Sequence, residues 1–354
     1  FMSNIRDVAQ LAGVSVATVS RALQQPDLVS LKTRTKVLTA VKQVGYKPNL
    51  MAVKFRSGKT RNLVVLVPTV ANVFFARVIS GMQQAAHDKG YSLLLCNTLA
   101  DEEMEQSYAR MVHTSQADGL VQLRAHNPFA QLDMKTGSVL PMVNACEVLD
   151  RIACPTVLLD NRAAACAMTE HLLQLGHKRI AMIKGPARSP LTRDRVAGYR
   201  DALNAAGVAF DESLLYPGDF TLQSGHKAAT ELLNLPNPPT AMFCENDEMA
   251  IGAIQAVKQQ GLKLPQDISV AGFDDISFAA FADPPLTTIA QPAEEFGSTA
   301  VNLLIELLEG RLTKAPKVIL PFELIQRAST GPARSVRTAS WSACGRRGPA
   351  PAGI

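Results

Sequence analysis

The period of the apolar positions changes along the chain. From residue 3 to 45 it is helical. Ile5, Val8, Ala9 and Ala12 share one face, Val19 and Leu23 a second, and Val37, Ala40, Val41 and Val44 a third. Ser3, Ser15 and Ser30 stand where N-caps are needed, and Gly13 and Gly45 where the first and third segments must stop. Gln24-Gln25-Pro26-Asp27 separates the second from the third, so the pattern predicts three short helices. Tyr46 to Arg61 reads as a polar, basic linker with one amphipathic turn from Asn49 to Arg56. From Leu63 onward short apolar runs alternate with helical stretches. The runs are 63–68, 93–97, 119–123, 142–146, 156–160, 180–185, 241–244, 268–273 and 287–291. The helical stretches include 75–89, 102–116, 163–175, 194–206, 224–233, 249–260 and 293–308. Runs that are apolar throughout predict strands covered on both faces, and their alternation with helices predicts parallel sheets. Nine runs are too many for one comfortable domain, so the expectation is two doubly wound lobes with a cleft between them. Ligands of such sheets bind at the carboxyl ends of the strands. From Gly331 the chain has no period, is rich in Ala, Gly, Pro, Ser and Arg, and reads as a disordered tail.

Charge divides the chain in the same place. The whole carries +5, but residues 1–61 hold eleven Lys and Arg against two acids, a net +9. Residues 328–354 hold four Arg and no acid, which leaves the middle at −8. A small basic head therefore precedes an acidic body, and a basic segment is the electrostatic footprint of phosphate binding. Helix, tight turn at Gly13, helix is the helix-turn-helix pattern, whose second helix enters the major groove. Ser15, Val16, Ala17, Thr18, Ser20 and Arg21 are its outward candidates. Val16 and Ala17 suit thymine methyls, Arg21 can fork onto a guanine, and Thr18 and Ser20 suit phosphates.

Other classes lack their signatures. There is no G-x-x-x-x-G-K-[ST] loop, no G-x-G-x-x-G after a strand and no G-x-S-x-G elbow. His171 and His177 are six apart, a poor spacing for one metal on a helix face. The six cysteines are scattered with no C-x-x-C pair, which predicts reduced, buried thiols. No run approaches the roughly 18 apolar residues of a membrane span, and no secretory signal opens the chain. The expectation is a cytoplasmic, nucleoid-associated protein that is not an enzyme and needs no cofactor or metal.

The stretch from Ile5 to Leu23, with Gly13-Val14-Ser15 and Ala17-Thr18-Val19-Ser20-Arg21, resembles the head of the lactose-repressor (LacI/GalR) family of bacterial transcriptional regulators. Gly45-Tyr46-Lys47-Pro48-Asn49 resembles that family's approach to its hinge helix. The resemblance implies that Asn49 lies in a DNA-contacting hinge. It also places Phe55 where the family carries an apolar wedge, usually Leu, for the minor groove. It runs on through the body, whose family form is like a periplasmic sugar-binding protein. Gly176-His177-Lys178-Arg179-Ile180, Gly218-Asp219-Phe220-Thr221, 238–244 and 283–292 resemble the family's cytidine-repressor branch, and the last two are shared with its purine-repressor branch. The implied divisions are a head at 1–46, a hinge at 47–61, a two-lobed body at 62–330 and a tail at 331–354. The N-lobe would take 62–160 and 292–318, and the C-lobe 161–291 and 319–330.

Candidate effector residues come from strand ends and from the resemblance together. Phe74 and Phe75 follow the first run and can form a wall for a planar ring. Arg195, at the start of a helix after Gly185-Pro186, can donate a fork of hydrogen bonds, unless it pairs with Asp194 or Asp219. Phe220 can form the opposite wall. Asp160, Asn246, Asp247 and Asp274 end strands, where a carboxylate can accept two sugar hydroxyls at once. Asp274 or Asp275 could instead cap the next short helix. In the family, positions matching Arg195 and Asp274 bind ligand and the position matching Phe220 stacks on it. The segment 187–192 lacks the polar pair with which the purine-repressor branch holds its base, so a nucleoside is favoured over a purine base or a sugar. The implied partners are double-stranded operator DNA, a small-molecule effector and a second copy of the chain. With no leucine heptad in the tail, a dimer is favoured over a tetramer.

Overall fold

The computed structural model describes residues 4–46, 59–130, 141–149 and 152–333. The expectations for Asn49, Phe55 and the tail beyond 333 lie outside these residues. The head contains α1 (Ile5–Ala12), α2 (Val16–Gln24) and α3 (Leu31–Val44), with a short 3-10 turn at Pro26–Leu28. The first cap is Asn4 rather than Ser3. Its Oδ1 accepts from the backbone N–H groups of Arg6 and Asp7, while the Asp7 carboxylate accepts from the Asn4 N–H at 2.8 Å. That reciprocal pairing satisfies donors a lone serine would leave open. Ser15 and Ser30 cap α2 and α3 by accepting from the N–H groups of Thr18 and Thr33. Gly13 and Gly45 end α1 and α3 at φ 65° and 63°, where a side chain would be strained. Val8, Ala9, Val19, Ala22, Val37 and Ala40 meet in the head's own core.

The body, from Arg61 on, is a second compact unit. Its strands are β1 (Asn62–Val67), β2 (Ser92–Asn97), β3 (Gly119–Gln122), β4 (Met142–Ala145), β5 (Thr156–Leu159) and β6 (Ile180–Lys184). They continue with β7 (Leu215–Pro217), β8 (Ala241–Cys244), β9 (Ser269–Ala271), β10 (Thr288–Ala290), β11 (Lys317–Leu320) and β12 (Glu323–Ile325). The helices between them are α4 (Val73–Asp88), α5 (Glu102–His113), α6 (Asn161–Gln174) and α7 (Pro190–Ala205). Three more are α8 (Leu222–Leu233), α9 (Asp247–Gln259) and α10 (Ala293–Leu308).

One parallel sheet runs in the order β11-β5-β4-β3-β1-β2 and a second in the order β7-β6-β8-β9, while β10 and β12 form an antiparallel pair. The chain leaves the first sheet after β5, returns to it for β11, and leaves again. Alternate residues of each central strand feed different cores. Leu63, Val65 and Val67 of β1 face one core, and Val64 and Leu66 another. Ile180 and Met182 of β6 likewise part from Ala181 and Ile183. Both faces are covered, so the runs are apolar throughout.

Three strands escape the hydrophobic pattern. β7 and β12 are three residues long, and the edge strand β11 exposes Lys317 and Ile319. Helix α7 starts at Pro190 rather than near 194, because Ser189 caps it and proline suits the first helical position. Helices α4 and α10 pack through paired glycines: a Cβ on Gly81 would lie 2.0 Å from the Glu294 carbonyl oxygen, and one on Gly297 equally close to that of Val78. Among the described residues no helix is long and apolar enough to cross a membrane, and no cluster of His, Cys, Asp and Glu could hold a metal ion. His171 bonds Thr330, and His177 bonds Thr240, Ser269 and the Gly331 carbonyl, so His171 ties residues 330–331 to α6 and His177 ties them to the second sheet.

Candidate functional site

Helix α2 buries Val19 and Ala22 and exposes Ser15, Val16, Ala17 and Arg21, with Thr18 and Ser20 half-buried. The exposed face is thus the one the spacing predicts. The Ser15 and Thr18 hydroxyls lie 2.9 Å apart, so capping and the outward polar edge of the helix share the same side chains. Val16 is an apolar residue left in solvent at 39 % exposure.

In the body, the carboxyl ends of β6, β8 and β9 converge on Arg195 in the second turn of α7. Its side chain is buried and stacks on Phe273, the guanidinium carbon 3.6 Å from the ring centroid. Its Nε donates to Asn161 Oδ1 at 2.9 Å, and its Nη1 donates to the Glu245 carbonyl. Asp194 pairs with Arg193 instead, so Arg195 is not consumed by a neighbouring acid. An arginine has five N–H donors, so three remain for another partner. Burial disfavours its charge, and the nearby Asp274 and Glu245 support it.

Asp274 is buried, sits at φ 112°, and caps no helix. Gln291 Nε2 donates to its Oδ1 at 2.6 Å, and among the described residues no hydrogen bond reaches its Oδ2. Burial pushes its pKa up to about 7, although Arg195 and the Gln291 hydrogen bond pull it down. A non-glycine residue held at such a φ is strained, and strain of this kind gathers at ligand loops. Phe220 shares the feature at φ 69°. Its ring tip presses on Gly185, where a Cβ would fall 2.1 Å from Phe220 Cζ.

The remaining candidates divide. Asn246 caps α9 by accepting from the Met249 N–H, and its Nδ2 donates to the Phe220 carbonyl at 3.0 Å. Asp247 is fully buried; Thr288 Oγ1 donates to its Oδ1 and the Ile276 N–H to its Oδ2. Both were expected at the ligand, and both make hydrogen bonds within the protein. Their polar atoms hold the loops that carry Phe220 and Asp274. Asp160 caps α6 and is exposed, and its neighbour Asn161 is the residue that reaches Arg195. Phe74 is buried edge-on against Phe75 and Phe296, so it forms core, while Phe75 is half-buried at the margin.

The sequence pattern missed Asn161, Gln291, Phe273 and Glu245. Glu245 is fully buried; its Oε2 accepts from the Gly185 N–H at 2.9 Å and from Thr192 Oγ1 at 3.0 Å, while Oε1 has no partner. Burial raises its pKa to about 7. Its place at the end of an apolar run, one residue before Asn246, was the available signal. Bonds also tie the two sheets' loops together. Ser189 Oγ donates to Glu147 Oε1 at 2.6 Å, and Arg77 Nη1 to the Asp275 carbonyl at 3.0 Å; within the first sheet's own loops the Ala125 N–H donates to Glu147 Oε2 at 2.6 Å.

A basic helix-turn-helix head joined to a body of two parallel sheets, with polar groups converging at strand ends, defines a ligand-binding transcriptional regulator. The chain belongs to the lacI family of bacterial regulatory proteins. That family's profile matches residues 4–49, and the profile of periplasmic binding proteins and sugar binding domain of the LacI family matches residues 60–328. It is similar to the HTH-type transcriptional repressor CytR of Escherichia coli K12, 40 % identical over 93 % of this chain and 96 % of that protein. Among solved structures it is similar to the lac repressor dimer bound to operator and the anti-inducer ONPF. That likeness has a TM-score of 0.83 at 30 % identity, covering 94 % of this chain and 100 % of the other. It is also similar to a complex of the transcriptional regulator CelR with cellobiose, at TM-score 0.71 and 31 % identity, covering 92 % and 99 %.

Proposed function

We propose that this repressor binds a pseudo-palindromic operator as a homodimer and that a nucleoside bound between its two lobes sets its operator affinity. The observation that carries the effector reading is the arrangement of Arg195, Asp274 and Phe220 at the strand ends of one lobe. Asp274 Oδ2 accepts ribose hydroxyls, the spare N–H groups of Arg195 donate to them or to a base carbonyl, and Phe220 and Phe75 flank the base. Asn246, Asp247, Asn161 and Gln291 hold these groups in place and do not touch the ligand. The likeness to CytR supports a nucleoside; a sugar is the second reading, favoured by the likeness to the cellobiose complex.

Ser15, Val16, Ala17, Thr18, Ser20 and Arg21 of α2 read the operator, with Asn49 and Phe55 of the hinge in the minor groove. A symmetric operator needs two heads, and an exposed apolar patch supports a dimer. Phe281, 87 % exposed, and Phe278 stand near a groove lined by Leu222, Ile251, Ile254 and Ala282. The bonds of Glu147 and Arg77 across the lobes hold one lobe arrangement, and ligand between the lobes changes their balance. A coupling of about 1–3 kcal/mol between effector and operator is enough for regulation.

The test is calorimetric titration of the full-length protein with nucleosides, free bases and pentoses, repeated on Asp274→Ala. Binding of a nucleoside that is lost in the variant, with operator binding retained, is the expected result. Binding of a sugar or a free base alone overturns the nucleoside reading. Operator affinity indifferent to every bound ligand overturns the regulatory one.

A further inference from the structure

We propose that Glu245 determines the effector's chemistry by accepting a hydrogen bond from an N–H group on its base edge. The inference rests on the effector site proposed above and names the group that distinguishes one ligand of that site from another.

Glu245 lies where β8 ends, within the ring of strand ends that carries the other candidate groups. Three contacts fix its orientation. Its carbonyl takes Arg195 Nη1, and its Oε2 takes both the Gly185 N–H and the Thr192 hydroxyl. Gly185 is also the residue on which the Phe220 ring tip rests, so the carboxylate and the aromatic wall border the same backbone atoms. Oε1 is then left buried with no protein donor. A buried carboxylate oxygen without a partner is costly, because it has lost water and gained nothing. Asp247 and Glu105 have both oxygens engaged, and Asp275 Oδ1, also without a hydrogen bond, has the Arg327 guanidinium 2.7 Å away. Glu245 departs from them beside Arg195 and Gly185, the residues that border the proposed effector site.

An ionised carboxylate only accepts, so above about pH 7, where Glu245 is ionised, Oε1 selects a donor. The amino group of a cytosine- or adenine-like ring supplies one, and the carbonyl of a uracil- or hypoxanthine-like ring opposes it with a second acceptor. Arg195 and Lys184 favour the anion against the burial that disfavours it, and a ligand N–H at Oε1 adds to them.

Replacing Glu245 by Gln inverts this preference. The Oε2 position receives two donors, so the amide oxygen must occupy it and the amide NH₂ must take the Oε1 position. The group facing the ligand changes from acceptor to donor at nearly constant shape. The variant also removes a carboxylate that burial disfavours, so its fold is expected to hold, which its thermal transition checks.

The experiment titrates full-length wild type and Glu245→Gln with ligand pairs that differ by an amino group: cytidine and uridine, adenosine and inosine, glucosamine and glucose. The expected result is at least tenfold tighter binding of the amino member by the wild type, lost or reversed in the variant. A nucleoside that binds the wild type without amino preference overturns the assignment and leaves the nucleoside site standing, whatever the variant does. Equal weakening of both members of a pair by Glu245→Gln also overturns it. Discrimination confined to the sugar pair retains Glu245 and overturns the nucleoside reading. Binding of no member of any pair overturns both.

Discussion

Asp274→Asn is expected to stabilise the free protein while abolishing effector binding. In the folded body the Asp274 carboxyl is 6 % exposed and its pKa is pushed from the usual 3.8 to about 7. A rise of that size corresponds to about 4 kcal/mol between the two protonation states. The unfolded chain releases this proton near 4 and the folded chain near 7. Between those values the folded state holds more protons, so stability falls as pH rises and levels off above about 7. Asparagine keeps the Oδ1 that accepts from Gln291 and never ionises, so it escapes the whole loss. The variant should exceed the wild type by about 2 kcal/mol at pH 5 and by about 4 kcal/mol at pH 8. For a body of this size the larger figure is roughly 8–16 °C in melting temperature. Scanning calorimetry of both full-length proteins across pH 5–8, without ligand, reads the body transition directly. A variant no more stable than wild type at pH 8, or a gap that fails to widen with pH, refutes the reasoning. Loss of ligand binding with gain of stability is the expected pattern for a carboxylate kept for function.

Gly297→Ala should destabilise the body by about 1–3 kcal/mol in denaturant unfolding, because the new methyl falls on the Val78 carbonyl and α4 and α10 must separate. Ser15→Ala removes the cap of α2 and should cost the head about 1 kcal/mol, with weaker operator binding in a mobility-shift titration; an unchanged head transition would contradict the cap geometry. Phe281→Asp should shift the sedimentation of the protein to that of a monomer, and an unchanged coefficient would remove the exposed aromatic patch as the dimer surface.

The head was legible almost in full. Its three helices are local, and helical spacing, serine caps and left-handed glycines act within a few residues of one another. The capping residue of α1 slipped by one because Asn4 is paired by Asp7, a reciprocity that spacing alone leaves open. The alternation of runs and helices likewise predicted parallel sheets, since strands covered on both faces must be apolar throughout. The short strands β7 and β12 and the edge strand β11 lack that signal, and only pairing with partners far along the chain makes them strands.

The effector site was legible by residue type and strand end but not by role. Arg195 and Asp274 stand where the pattern put them. Whether a polar residue touches a ligand or holds a loop depends on which atoms its own chain has already engaged, and that is a tertiary fact. Asn246 and Asp247 look from sequence as available as Asp274, yet in the folded chain they engage their polar atoms in capping α9 and fastening the Phe220 and Asp274 loops. Glu245, next to them, keeps one oxygen unpartnered because its other oxygen meets both Gly185 and Thr192. The sequence by itself determined the fold class, the basic helix-turn-helix head and the strand ends at which the effector is proposed to sit. The tertiary structure decided which strand-end groups remain free, because contacts between residues tens of positions apart satisfy some hydrogen-bonding atoms and leave others open.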